Sequence, residues 1–482
     1  MRAFNYLALI WGLVLVLPIQ STAAEGLTTD YMSSAGTPEK CVVTTHIPGG
    51  DYSKKDSKKE QSYCLIDFLD PSLALCPKTW STSPGTMVYD LSKSTYTAET
   101  YEASRYCGRK SRGQDVETKV KFKQTMHAKG TSGTYSNSSL LYYHFSRYFD
   151  TKVTVPVAVY REMDKDTHRA RVSKKGLAKS KGSMIKAGWR HLVNAEADPK
   201  TYRPTDQLFT PDRKNIWGVL LKGKGERYGA EFNGTRASGW GAGQSRDFQK
   251  TPGFMALRID KPLVEAITEG VASAKRSSKM RSSVGADISN LQVVYWMREL
   301  TEITLMDYIF NQQDRVGNID YRWYWYWVEN GEVSKEREAR PQYKDLARSK
   351  MKNIPVPEEL VAFNPTLVQR TDLNDNDAGA RTVYANFTKR TKMLNNLHHY
   401  STKLYTQLMN LDKDLQSRGE VYQWLNNTFN LSEKDIAGIV ENTHEAAEIL
   451  RGQCSKIRFD LDDVGDFLVT GPKENSFSCA AF

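Results

Sequence analysis

The sequence contains no long hydrophobic run beyond its N-terminus. The 482-residue chain begins with Arg2, an apolar core over residues 7–18 and small residues at 22–24. A membrane-spanning helix needs about 20 apolar residues, and this core is shorter. The layout is typical of a cleaved export signal. We therefore predict a signal peptide at 1–24 and an exported mature chain without a transmembrane segment. The expected location is periplasmic or extracellular, or the lumen of the secretory pathway if the host is eukaryotic.

Cysteine is also scarce, and no two cysteines have the Cys-x-x-Cys spacing of zinc and thiol-redox sites. An even number of cysteines in an exported chain indicates disulfides, here three. Four cysteines precede residue 110 and two lie near the C-terminus, so we predict pairing within each group. The six are Cys41, Cys64, Cys76, Cys107, Cys454 and Cys479.

The glycine-rich stretches lack the spacing of known phosphate-binding loops. Residues 223–229 and 239–243 combine glycine with basic or aromatic residues, but neither has the Walker or the Gly-x-Gly-x-x-Gly pattern. We interpret both as surface loops. The formal net charge of +11 favours polyanionic partners such as nucleotides or acidic glycans. Nucleic acid is a poorer fit, because an exported chain without a recognisable binding module does not point to it.

The most informative segment of the chain runs from Thr304 to Ile319. An apolar helical run breaks into a polar loop that holds Asp314, Arg315 and Asn318, and the chain then enters an aromatic-rich strand. In the catalytic loop of a phosphotransferase, an Asp accepts the proton of the attacking hydroxyl and an Asn helps to hold the metal. An ordinary helix–loop–strand junction has the same outline, so the loop alone leaves both interpretations open.

A second acidic segment, Leu373–Gly379, contains Asp375 and Asp377. A kinase needs another acidic metal ligand across the nucleotide from its catalytic loop, and a following glycine allows a tight turn. A plain polar turn or a calcium loop are the alternatives. The calcium interpretation is weaker, because Gly379 comes one position too early after Asp375 and Asn386 stands where a Glu would close the loop.

The hydrophobic pattern predicts an α+β fold with strands early in the chain and helices late. Residues 25–62 are polar and are expected to form a loosely held lead-in. Strand patterns occur around 81–90, at 118–123 and at 153–160, with a helical pattern at 140–149. Alternating aromatics and Asn330-Gly331 predict a β-hairpin over 320–333. Its aromatic side chains either pack in the interior or form a platform for sugar rings. Helices are predicted at 287–311, 389–417, 419–428 and 432–453.

Taken in order, these segments resemble the secretory-pathway kinases, typified by the Golgi casein kinase, and more distantly HipA-like and lipid-kinase-like atypical kinases. The resemblance covers roughly residues 116–160 and 288–380. It is carried by Phe122-Lys123, Arg147–Pro156, Asp307–Arg315 and Leu373–Gly379. It implies a two-lobe fold with a β-rich small lobe and a helical large lobe into which the aromatic hairpin is inserted. The expected boundaries are a disulfide-bearing segment at 25–115, a small lobe with a Gly/Lys-rich insertion at 116–270 and a large lobe at 271–482.

The resemblance also implies roles for single residues. Lys123 would contact nucleotide phosphates, Asp314 would be the catalytic base, and Asn318 would be a nucleotide and metal ligand. Asp375 would ligate the metal if it matches the Asp-Asn of the family, and Asp377 would do so if Asp-x-Gly is the relevant turn. We favour Asp375, because it directly follows a strand end. The expected substrates are ATP with Mg²⁺ or Mn²⁺ and a hydroxyl of a secreted protein or a glycan.

Three features depart from the family pattern. Ser139 stands where the family has a Glu that positions the lysine, and no acidic residue occurs between Glu117 and Asp150. Asn318 follows Asp314 by four positions where the usual kinase loop has five. The gap between Asp314 and Asp375 is unusually long. The alternative hypothesis is therefore a pseudokinase of the cell envelope that binds acidic glycans or other polyanions through its basic surface and aromatic hairpin.

Overall fold

The computed structural model describes residues 24–128, 130–222, 225–285, 287–340 and 354–481. The predicted signal peptide lies outside these residues, apart from Ala24. The described chain is a mixed α+β structure in which one large antiparallel sheet precedes most of the long helices.

Thirteen strands form three sheets within the described residues. In chain order they are β1 (Gly26–Met32), β2 (Pro38–Thr44), β3 (Leu73–Pro77), β4 (Thr86–Asp90), β5 (Glu117–Gln124), β6 (Ala158–Asp164), β7 (Asn215–Leu221), β8 (Glu226–Arg227), β9 (Asp320–Glu329), β10 (Glu332–Arg337), β11 (Thr366–Asp372), β12 (His399–Tyr400) and β13 (Arg458–Phe459). The largest sheet has the order β1-β2-β6-β7-β5-β4-β3, and every neighbouring pair in it is antiparallel. Residues 25–62 are therefore not a loose lead-in, because they supply two strands of this sheet and a helix.

The α-helices are short in the first half of the chain and longer in the second. They are α1 (Lys54–Cys64), α2 (Ala98–Ala103), α3 (Ser136–Tyr148), α4 (Lys165–His168), α5 (Lys174–Lys179), α6 (Ser183–Ala197), α7 (Ala230–Asn233), α8 (Ala242–Phe248), α9 (Pro252–Leu257), α10 (Leu263–Ala274), α11 (Ser278–Val284), α12 (Asn290–Ile309), α13 (Phe387–Arg390), α14 (Thr402–Ser417), α15 (Glu420–Thr428), α16 (Glu433–Gln453) and α17 (Phe467–Thr470). The predicted helices at 287–311, 419–428 and 432–453 are confirmed to within a few residues as α12, α15 and α16.

The helix predicted at 389–417 is interrupted: α13 ends at Arg390 and α14 begins at Thr402. Lys392 and Asn396 have φ values of 52° and 57°, which a continuous helix cannot contain. The backbone N–H of His398 donates to the carbonyl of Leu257, and β12 pairs in parallel with β13. Hydrogen bonds to distant parts of the chain therefore replace the local helical ones between α13 and α14.

The strand predicted at 153–160 begins later, at Ala158. Pro156 has no N–H to donate to a ladder, which excludes regular pairing at that point. Thr154 instead forms an isolated parallel bridge with Asp372 at the end of β11. This bridge connects the segment before β6 with the second sheet.

The aromatic hairpin predicted at 320–333 is confirmed as β9 and β10. Asn330 and Gly331 both have positive φ, 53° and 80°, as the tight hairpin turn requires. The second sheet has the order β10-β9-β11, and β8 pairs with the start of β9. Tyr321, Trp325 and Tyr326 are at most 5% exposed, so half of the aromatic row packs in the interior and does not form an open platform.

All six cysteines are paired within the predicted groups. The bonds are Cys41–Cys64, Cys76–Cys107 and Cys454–Cys479. The first ties β2 to the end of α1, and the second ties β3 to the segment after α2. Three disulfides are consistent with an oxidising compartment.

Candidate functional site

The loop that contains Asp314 is anchored to the helix before it by a buried ion pair. The Arg315 guanidinium Nε lies 2.8 Å from Oδ2 of Asp307 in the last turn of α12, and both side chains are at most 4% exposed. Tyr142 of α3 donates its hydroxyl to the other Asp307 oxygen at 2.6 Å. Burial opposes the charge of Arg315, but the Asp307 carboxylate outweighs it and raises the pKa of Arg315. The loop is therefore held in one position relative to α12 and α3.

The same arginine joins this loop to the second acidic segment. Arg315 donates through Nη1 to the backbone oxygen of Asp375 at 2.8 Å and through Nη2 to Oδ1 of Asn376 at 2.9 Å. Asn376 in turn donates to the carbonyl of Leu373, which fixes the turn after β11. The buried side chain of Arg315 thus connects the loop of Asp314 to the segment of Asp375, which lies far along the sequence.

Lys123 contacts this turn from the large sheet. Its ammonium group pairs with the carboxylate of Asp377 and donates to Ser83 Oγ at 2.9 Å in the loop between β3 and β4. Lys121, two residues earlier on the same face of β5, lies 3.9 Å from Asp375. Both lysines are 2% exposed, so their charges face the two carboxylates in a place largely shielded from water.

Helix α3 contains no acidic residue that could pair with Lys123. Ser139, which the resemblance to the secretory-pathway kinases aligns with a Glu, is buried in α3 and brings no charge. Glu117 does not substitute for it, because it pairs with Lys93 on the surface. The acidic partner of Lys123 is Asp377, which comes from the other side of the site.

The acidic turn is pressed against the start of α3. The N–H of Tyr135 donates to the carbonyl of Asp377 at 2.6 Å, and Ser138 donates to the carbonyl of Asn376 at 2.5 Å. A Cβ on Gly379 would lie 2.8 Å from the Phe310 carbonyl oxygen and 2.9 Å from Ser138 Oγ. Close packing therefore requires a glycine at position 379. The residue with positive φ in this segment is the next one, Ala380, at 60°.

Arg227 completes the site, and sequence reasoning missed it. Its Nη1 donates to Asn318 Oδ1 at 2.7 Å and to the Gly317 carbonyl at 2.6 Å. Its Nη2 donates to Asp375 Oδ2 at 2.9 Å, and its Nε lies 2.8 Å from Asp320 Oδ1. The residue lies in the stretch 223–229, interpreted above as a surface loop, but the structure places it in β8 against β9. A two-residue strand leaves no periodic signal, so nothing in the sequence pointed to it.

Asp314 itself is partly buried at the mouth of this cluster. Burial raises the pKa of its carboxyl group above the ordinary value, and the nearby charge of Asp375 acts in the same direction. The Trp240 side chain and the Arg227 guanidinium lower the pKa but do not cancel the rise. Asn318 donates to the Asp314 carbonyl at 2.9 Å, so the two predicted loop residues are in contact. The raised pKa makes the Asp314 carboxylate a stronger base than an ordinary Asp.

Trp240 lies beside Asp314 and is 64% exposed. Its neighbours Gly239 and Gly241 both have a φ of 79°, a conformation that favours glycine. The indole packs edge-to-face on Phe387, with ring centres 5.2 Å apart. The second glycine-rich stretch thus presents an aromatic ring to solvent next to Asp314.

A cavity of about 710 Å³ opens beside Arg227. Its aromatic lining includes Trp80 from the loop between β3 and β4, Trp296 of α12, and Tyr321 and Trp323 of β9. Volumes of roughly 300–1,000 Å³ are typical of small-molecule sites. The cavity is therefore of the size of a small-molecule site, and Arg227 and Asp320 are the residues of the cluster that line it.

The acidic turn and the loop at 314–318 bring carboxylate and carboxamide oxygens to one place, where Arg227 contacts both segments. Among the described residues no group of three or more His, Cys, Asp or Glu side chains could hold a metal on its own. Mg²⁺ at phosphate-transfer sites is bound by one or two carboxylates together with phosphate oxygens. Asp375, Asp377 and the carboxamide of Asn318 provide ligands of that kind, so the residues present fit the group.

Comparison with protein-family models found no match, and comparison with curated proteins found none either. In the described part of the chain, no helix has the length and apolar character needed to cross a bilayer.

Proposed function

We propose that this protein is an exported, kinase-like phosphotransferase that uses ATP with Mg²⁺ or Mn²⁺. The observation that carries the proposal is the Lys123–Asp377 ion pair, which joins a strand of the large sheet to the turn after β11. Arg315 bonds to the same turn and follows Asp314 directly in the chain. A phosphotransferase needs a lysine, a metal-binding carboxylate and a base around one substrate.

The order of the elements supports a two-lobe interpretation of the fold. The hairpin β3–β4 leads to β5 with its lysine, then to α3, and then to β6 and β7; in the sheet β7 lies between β5 and β6. A strand with a lysine, a helix and further strands are how the small lobe of a kinase is built. The segment after β7 crosses to the part of the chain dominated by α12, α14 and α16, which would be the large lobe.

In the proposed reaction, the oxygen of an acceptor hydroxyl attacks the γ-phosphorus of ATP. The bond from that phosphorus to the β,γ-bridging oxygen breaks, ADP leaves, and the hydroxyl proton passes to the carboxylate of Asp314. Lys123 and Lys121 would provide positive charge next to the phosphates, and the metal would take its protein ligands from among Asp375, Asp377 and Asn318. The metal ion, when bound, neutralises charge that develops on the phosphate oxygens.

The ion pairs at the site are compatible with exchange on substrate binding. Without a nucleotide, each carboxylate of the turn faces a lysine of β5, so neither charge is left uncompensated in a partly buried position. A metal–nucleotide complex has phosphates that can pair with the lysines and a cation that can pair with the carboxylates. The ion pairs can therefore separate when such a complex binds without leaving a charge unpaired.

The proposal predicts metal-dependent nucleotide binding that isothermal titration calorimetry can measure with a non-hydrolysable ATP analogue and Mn²⁺. We expect Lys123→Met and Asp377→Asn each to weaken binding by about tenfold or more, at least as much as the loss of an outer-shell partner of a metal costs. The matched control is Lys93→Met, which breaks a pair that is 73% and 67% exposed. Absence of nucleotide binding by the wild-type protein would refute the proposal.

The alternative, a pseudokinase that binds acidic glycans, has less support at the aromatic hairpin, because much of its aromatic row is buried. It predicts polyanion binding that weakens steeply with salt and survives Asp314→Ala. The absence of binding to anionic glycans at low ionic strength would exclude it.

A further inference from the structure

The guanidinium of Arg227 sits among oxygen atoms of the type that bind divalent cations. Four of them surround it: Asn318 Oδ1 at 2.7 Å, Asp375 Oδ2 at 2.9 Å, the Gly317 carbonyl at 2.6 Å and Asp320 Oδ1 at 2.8 Å. We call these four atoms the oxygen cage. Carboxylate, carboxamide and carbonyl oxygens are the ligands that Mg²⁺ and related ions prefer. The oxygen cage therefore has the composition of a cation-binding site, and the guanidinium of Arg227 occupies it.

The backbone around Arg227 keeps it there. Strand β8 pairs with β9 so that Arg227 faces Asp320 in register. A Cβ on Gly225 would lie 3.1 Å from both Asp320 Cβ and the Tyr321 carbonyl, so the chain before β8 runs close against β9. An arginine side chain stays charged at any accessible pH, and its several donors can satisfy a set of fixed oxygens at once. The guanidinium of Arg227 is thus held in a fixed position and keeps its positive charge.

The two carboxylates of the acidic turn consequently face different partners. Asp375 is held by Arg227, with Lys121 at 3.9 Å, whereas the partner of Asp377 from the sheet is Lys123. A lysine is a flexible point charge that can move from a carboxylate to a phosphate, whereas an arginine that contacts four fixed oxygens at once is harder to displace. Of the two carboxylates, Asp377 is the one that can change partners more readily.

We propose that Arg227 takes the place of one of the two metal ions that a kinase site can hold, so that this site binds a single divalent ion, through Asp377. The inference rests on the proposed function, because it concerns the metal that accompanies the nucleotide. It also assigns a role to Asn318 and Asp375, which would position Arg227 and would not ligate the metal.

The test is to count Mn²⁺ ions bound per nucleotide, using the electron paramagnetic resonance signal of free Mn²⁺ at saturating non-hydrolysable ATP analogue. We expect one Mn²⁺ per nucleotide for the wild-type protein and two for Arg227→Ala, which empties the oxygen cage. Arg105→Ala is the matched control, because Arg105 is an exposed arginine, and it should remain at one. Two ions in the wild-type protein, or one in a folded Arg227→Ala variant, would overturn the inference.

A second pair of variants keeps the inference testable if Arg227→Ala does not fold. Asp377→Asn should weaken Mn²⁺ binding in the presence of the nucleotide analogue by about tenfold or more, whereas Asp375→Asn should leave one Mn²⁺ bound. The reverse ranking would overturn the inference and make Asp375 the ligand. If the wild-type protein binds nucleotide with two ions, only the inference fails; if it binds no nucleotide, the proposed function fails with it.

Discussion

The buried pair Arg315–Asp307 is the contact whose removal should cost the most stability at this site. We predict that Arg315→Met, which keeps the length of the side chain and removes its charge, lowers the free energy of unfolding by about 3–5 kcal/mol. The reason is that Asp307, 3% exposed, would keep a negative charge with only the hydroxyl of Tyr142 beside it. Loss of the two bonds from Arg315 to the acidic turn adds to the effect.

The assay is guanidinium-induced unfolding at pH 7, followed by tryptophan fluorescence. The matched control is Glu117→Gln in the exposed pair Lys93–Glu117, which should cost about 0.5 kcal/mol or less because solvent screens that pair. The double variant Arg315→Met/Asp307→Asn should recover part of the loss, since no buried charge remains. A cost below about 1 kcal/mol for Arg315→Met, or no recovery in the double variant, would refute this account of the loop.

Two further predictions concern the same site. Gly379→Ala should destabilise the protein by about 1–3 kcal/mol, because its Cβ would lie 2.8 Å from the Phe310 carbonyl oxygen. The control is Gly452→Ala in α16, whose Cβ would have no atom within 4 Å. In thermal melts this control should be neutral or stabilising. Equal effects of the two would contradict the packing argument. The melting temperature of Asp314→Asn relative to the wild type should increase as the pH rises from below 3.8, because burial raises the pKa of Asp314. At the higher pH the folded wild-type protein carries a disfavoured charge that the variant lacks. Asp462→Asn should do the opposite, since side-chain hydrogen bonds lower the pKa of Asp462 despite its burial. A melting-temperature difference for Asp314→Asn that does not change with pH would contradict the role given to burial.

Local sequence patterns predicted local structure well. The alternation at 118–123 placed Lys121 and Lys123 on one face of a strand, and β5 has that arrangement. The Asn330-Gly331 pair marked the hairpin turn, because it supplies the two positive φ values that such a turn needs. The grouping of the cysteines likewise predicted that the bonds stay within each group, and the structure adds which of the four early cysteines pair. In each case the deciding interaction lies within a few tens of residues.

The prediction of a continuous helix at 389–417 was wrong for a different reason. Its pattern is compatible with a helix, but the hydrogen bonds of His398 and of β12 are made with partners about 60 to 140 residues away. The expectation that residues 25–62 form a loose lead-in was wrong in the same way. A polar strand such as β1 is held by its ladder with β2, which composition does not show.

The sequence by itself determined the presence of a polar loop at 314–318, an acidic turn at 375–379 and a strand with lysines at 118–123, because each depends on neighbours in the chain. Only the tertiary structure decided how these parts meet. It placed Lys123 against Asp377, joined the loop to the turn through Arg315, and brought Arg227 to Asn318 and Asp375. These contacts join segments from 60 to 254 residues apart, and their energy comes from pairing charges in a shielded place. Such pairing is set by the packing of the large sheet on α3 and of β11 on α12, and no periodicity in the chain encodes it.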